Sequence, residues 1–160
     1  MNGAHLHLML NHLPVLGTVF GLCLLAYGLL GKKPYLLKVS LGVFVLVALA
    51  AGAAYLTGEQ AEEVVEHLAG ISEAVIEPHE EAAWIAFLGA GMLGLLALGG
   101  LIWFRQREVA KRFSLATLVL ALAMSGWMVY TANLGGKIHH PEIRSADAVS
   151  APVYEDADDD

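Results

Sequence analysis

Cysteine is almost absent: Cys23 is the only one in 160 residues. A lone thiol forms no intramolecular disulfide, and no C-x-x-C-H run exists to attach a c-type haem, so Cys23 is expected to behave as a small buried apolar residue. Charge is scarce too, with 16% charged against 57% hydrophobic residues, a composition outside the range of ordinary soluble domains. A net charge of −7 gives no reason to expect a nucleic-acid partner. Also missing are a basic stretch ahead of the first apolar run and an A-x-A cleavage signal. That run is longer than a secretory h-region, so the first span is expected to be retained, with the mature chain beginning near Met1.

What the sequence does contain is four apolar runs, at about residues 12–30, 38–57, 79–104 and 113–133. Each approaches the ~20 residues that cross a hydrocarbon core as a helix, the form that satisfies every backbone polar group within its own segment. The expected fold class is therefore an all-α integral membrane protein. A four-helix up-and-down bundle would occupy residues 1–134, and residues 135–160 would form an acidic tail. Between the second and third runs, TGEQAEEVVEHLAG has a capping-box pattern at Thr57 and Gln60. Glu59, Glu62, Glu63 and Glu66 would share one face there, with Val64, Val65 and Leu68 opposite. A separate amphipathic helix over about 59–69, lying against the outer mouth of the bundle, is the expectation.

Basic residues orient such a chain, because short connections rich in Lys and Arg stay on the cytoplasmic side during insertion. Lys32, Lys33 and Lys38 flank the first connection, and Arg105, Arg107, Lys111 and Arg112 fill the third. Only Lys137 and Arg144 lie elsewhere. Both termini and the second connection are therefore expected on the outer side. Trp84, Tyr55 and Tyr130 then fall in the outer aromatic belt, with Trp103, Phe104 and Tyr35 near the inner one.

On that map all seven histidines share the outer side: His5, His7 and His12 before or at span one, His67 and His79 around the second connection, and His139 and His140 after span four. Imidazole is a leading metal ligand at neutral pH, and shared placement raises ligation above helix capping or headgroup contact. Spans one and three run in the same direction and would be diagonal neighbours, bringing His12 and His79 to matching depth. Two imidazoles facing across a bundle can clamp a haem, and the small residues of ALAAGAAYL in span two would leave room for its rings. The haem would be b-type and, with both axial positions filled, an electron carrier. Glu63 and His67, four residues apart on one helical face, offer a non-haem alternative.

His7, four intervening residues, and then His12, Leu13 and Pro14 resemble the H-x4-H-F-P opening of an uncharacterised bacterial four-helix membrane protein family. A histidine also opens that family's third span, as His79 does here, and a Gly-Gly-basic-aliphatic stretch ends its fourth, as Gly135, Gly136, Lys137 and Ile138 do. Members occur joined to cytochrome c or Rieske modules. The resemblance implies a redox setting in the bacterial cytoplasmic membrane, with roles for His7, His12 and His79. His139 and His140 stand nearer the Gly-Gly pair than that family's following histidine, so no role carries over to them.

Gly17 and Gly21 form a G-x-x-x-G pair suited to tight helix contact, Met124 and Met128 share a face of span four, and Asn133 and Thr131 are candidates for supporting an outer histidine. Pro78 is expected in the first turn of span three. YEDADDD closes the chain as a solvated run that could steer a basic carrier such as a soluble cytochrome c. Three function classes remain. The leading one is a haem-b electron-transfer subunit, a non-catalytic redox part of an oxidoreductase complex, working between quinol or a partner redox subunit and an outer carrier. The second is an outer-face site for Zn, Cu or Fe built from His5, His7, His67, His79, His139, His140 and Glu63. The third is a structural subunit of a larger membrane complex. A Soret band separates the first from the others.

Overall fold

A computed structural model of the chain describes residues 3–67, 71–140 and 143–144. These residues form five helical segments and no strand: α1 (Gly3–Leu10), α2 (His12–Leu30), α3 (Pro34–Val65), α4 (Glu73–Trp103) and α5 (Lys111–His139). Helices α1 and α2 together make one apolar run of 28 residues broken at Asn11, so four helical runs are long and apolar enough to cross a membrane. The chain is a multi-pass helical membrane protein by that criterion. The break has a local cause. Pro14 has no N–H to give the carbonyl of Leu10, and its ring crowds that carbonyl, so α1 ends there and α2 restarts at His12.

Neighbouring helices in sequence pack side by side, and α5 closes the ring against α2, leaving α2 and α4 diagonal as an up-and-down bundle requires. Small residues set the closest approaches. A Cβ at Gly17 would lie 2.8 Å from Val47, and one at Gly21 would lie 2.6 Å from Phe44, so this G-x-x-x-G pair is the α2 side of the α2–α3 contact. Phe44, Leu25, Leu41 and Leu93 are fully buried at the centre, and Met124 and Met128 join the same core. Tyr55, Phe87 and Trp84 form an aromatic cluster, with Tyr55 and Phe87 stacked at 4.9 Å.

Several local expectations change. Cys23 is exposed on the outside of the bundle, where lipid rather than protein would cover it. Residues 59–65 do not start a separate outer helix; they continue α3, while residues 68–69 lie outside the described set. Thr57 is therefore no cap: its hydroxyl donates back to the carbonyls of Ala53 and Ala54, both at 3.0 Å, from within a continuous helix. Likewise α4 begins at Glu73, so Pro78 sits inside the helix rather than in its opening turn, and α5 runs past residue 134 to His139.

A second core explains these extensions. Val65, Val75, Ile76 and Ile138 are buried together with Ile71 packed on them, and this cluster exists only because α3, α4 and α5 all project beyond their charge-free stretches at the same end. At about 1.5 Å per residue, α4 is about 46 Å long against a hydrocarbon thickness of about 30 Å. The surplus stands above residues 39–58 of α3, 82–104 of α4 and 113–136 of α5, the stretches free of Asp, Glu, Lys and Arg. The YEDADDD tail lies outside the described residues.

Candidate functional site

The projecting end is where imidazoles meet. α1 folds down against the extended end of α3, with Gly3 pressed onto Gln60 so closely that no side chain fits there. This puts His7 beside α3, half-buried, its Nδ1 2.9 Å from the carbonyl oxygen of Ala54 and 3.3 Å from Oγ1 of Thr57. The Thr57 hydroxyl spends its proton on its own helix, so it accepts from His7. A carbonyl oxygen also only accepts. Both contacts therefore assign the proton of a neutral His7 ring to Nδ1 and leave Nε2 with its lone pair.

His79 of α4 repeats the arrangement: its Nδ1 donates to the carbonyl oxygen of Thr131 at 3.1 Å. The ring lies on α5 at Gly135, where a Cβ would come within 2.9 Å of Cε1 and 3.2 Å of Nδ1. Glycine is what lets the imidazole sit there. The Thr131 hydroxyl donates to the Trp127 carbonyl at 3.0 Å and approaches that of Ala82 at 3.3 Å, and Trp127 Nε1 donates to Ala82 at 2.9 Å. These bonds fix α5 against α4 at the level of His79. Burial, with a smaller contribution from the charge of His7, pushes the His79 imidazole below its ordinary value, and neither Nε2 has a protein partner among the described residues.

At the same projecting end, the carboxyls of Glu62 on α3 and Glu80 on α4 lie close enough to interact. Hydrogen bonding to Glu80, then partial burial, then repulsion from Glu80 push the Glu62 carboxyl up to about 7. Glu62 lies beyond the charge-free stretch of α3, at the projecting ends of α3 and α4.

The other candidates disperse. His12 is exposed, and its Nδ1 bonds to the carbonyl of Leu8 at 3.1 Å, so it caps the α1–α2 break. His12, expected from depth alone to face His79, instead turns its ring back onto α1. His67 is exposed and lies 3.6 Å from Glu66 rather than beside Glu63, which is exposed on α3. His5, His139 and His140 are exposed too, and Asn133 faces outward. Among the described residues no three of His, Cys, Asp and Glu converge as a metal-holding group. Gly58, 3.7 Å from His7 by its added Cβ, and Gly135 were the partners that sequence reasoning missed as such. Gly135 stands in a Gly-Gly stretch, but nothing in its spacing names His79 as its neighbour.

No family model, curated protein or solved structure matches the chain.

Proposed function

We propose that the chain is a membrane electron-transfer subunit that holds a b-type haem through Nε2 of His7 and His79. The observation that carries this reading is the matched anchoring of two imidazoles from different helices at one end of the bundle, each with Nδ1 on a helix carbonyl and with Nε2 unengaged among the described residues. Metal-ligating histidines are characteristically held this way, since the Nδ1 bond fixes ring orientation and raises the basicity of Nε2. Zinc calls for three or four protein ligands, whereas in haem the porphyrin supplies four nitrogens to the iron and the protein needs to add at most two; among the described residues no group of three donors converges, which favours the haem reading.

The residues beside the pair fit this assignment. Ala51 and Ala54 of α3 are small and buried, and Gly58 and Gly135 keep side chains away from the two rings. When bound, haem would supply one-electron chemistry. The chain's own part is to fix both imidazoles in the neutral tautomer, through the Ala54 and Thr131 carbonyls, and to hold α4 and α5 in register through Trp127 and Thr131. With basic connections inside, the site faces the periplasm of a bacterial cytoplasmic membrane, and the acidic YEDADDD tail supplies charge to steer a basic outer carrier such as cytochrome c. The resemblance to the H-x4-H-F-P family supports the redox setting.

The visible spectrum of the purified protein tests this directly. A Soret band and a reducible α-band, lost in His7→Ala and in His79→Ala but retained in His12→Ala, are expected. Full haem content in His7→Ala or His79→Ala removes the pair. A colourless wild type with no stoichiometric metal, co-purifying with other membrane proteins, returns the chain to the structural-subunit class.

A further inference from the structure

At the opposite end from the histidines, α4 and α5 part to form a cleft of about 440 Å³, lined by Leu95, Gly99, Trp103 and Phe113 with their neighbours. Its walls are built by packing. Phe113 lies on Gly100, where an added Cβ would come within 2.5 Å of its ring, and Phe104 tilts against Phe113 at 5.4 Å. Gly99 forms the open part: a Cβ there meets nothing within 4 Å. No side chain lining the cleft except the Trp103 indole carries a polar atom, so the hollow is made for hydrocarbon.

Its mouth is cationic. Arg105, Arg107, Lys111 and Arg112 are exposed in and beside the α4–α5 connection, against the single acid Glu108, and none pairs with a described carboxylate. Arg107 lies over the Trp103 ring at 5.9 Å, which holds one guanidinium at the edge of the cleft itself. Lys38 reaches the same connection from α3, its Nζ donating to the Arg105 carbonyl at 3.3 Å.

We infer that this cleft holds one acyl chain of an anionic glycerophospholipid whose phosphate is bound by Arg107 and its basic neighbours. An apolar hollow ending in unpaired guanidinium groups matches that molecule along its length, and guanidinium binds phosphate through two parallel hydrogen bonds. A second copy of the chain fits poorly, because parallel insertion would set two like-charged connections at the same depth. A quinone would bring a neutral headgroup to a rim of cations. It would also lie far from the proposed redox site, since the 20 residues of α4 from His79 to Gly99 span about 30 Å. The lipid site stands independently of the haem reading.

The test is native mass spectrometry of the intact protein, delipidated and then titrated with phosphatidylglycerol or phosphatidylcholine of identical acyl chains. Wild type is expected to retain one phosphatidylglycerol in preference to phosphatidylcholine. Gly99→Leu, whose Cβ meets nothing within 4 Å, is expected to fill the cleft and lose that lipid, whereas Gly91→Leu, its Cβ equally open but about 12 Å away along α4, keeps it. Arg107→Gln and Arg112→Gln, in an exposed segment that tolerates change, should each weaken phosphatidylglycerol about fivefold and leave phosphatidylcholine unchanged. Equal retention of the two lipids, unchanged binding in Gly99→Leu, indifference to both arginine variants, or a dimer mass in place of bound lipid would each overturn the assignment.

Discussion

Replacing Gly135 by alanine isolates the seat of His79. The new Cβ would lie 2.9 Å from Cε1 and 3.2 Å from Nδ1 of the imidazole, tighter than ordinary van der Waals contact on both atoms. The ring cannot retreat without lengthening its 3.1 Å bond to the Thr131 carbonyl. Overpacking costs about 1–3 kcal/mol and a lost hydrogen bond about 0.5–1.5 kcal/mol. The gain in helix propensity from Gly to Ala offsets about 1 kcal/mol of this. A net loss of about 0.5–3.5 kcal/mol is expected. Gly126 in the same helix supplies the control, since its Cβ would meet nothing within 4 Å and only the propensity gain remains. Thermal unfolding of the two variants in one detergent, followed by tryptophan fluorescence, should place Gly135→Ala below wild type and Gly126→Ala at or above it. Haem content, where present, should fall only in Gly135→Ala. Equal midpoints for the two variants with unaltered haem content would refute the close packing of His79 on Gly135 and the site built on it.

Gly21→Ala pushes a methyl to 2.6 Å from the fully buried Phe44 ring, so a loss of about 1–3 kcal/mol is expected by chemical or thermal unfolding; no loss would mean that α2 and α3 are not in this contact. Because the raised Glu62 carboxyl holds its proton longer in the folded than in the unfolded chain, its contribution is full below about 4.5, declines as pH rises and is gone above about 7. The stability of Glu62→Gln relative to wild type should therefore rise from pH 5 to pH 8, and a pH-independent difference would argue against the pair. In a Cys23→Ala background, Ser72→Cys should react with an impermeant thiol reagent added to intact cells and Gln106→Cys should not, the reverse result inverting the proposed orientation.

Composition and periodicity carried the architecture. A run such as residues 39–58, with no charged side chain and enough length for the bilayer, has few options besides a spanning helix, because no other form closes its hydrogen bonds alone. The Gly17–Gly21 contact was legible for a related reason: side-chain absence at i and i+4 leaves a groove whatever the partner. Tertiary structure decided the rest. Thr57 reads as a helix start in sequence, yet the buried cluster of Val65, Val75, Ile76 and Ile138 rewards continuation of α3, α4 and α5, and local capping preference yields to that burial. The choice of His7 over His12 depends on the break that Pro14 imposes and on α1 turning onto α3 at Gln60. Equal depth along a helix says how high a side chain stands; which way it faces is set by contacts between segments about fifty to seventy residues apart in the chain, and no local pattern carries that information.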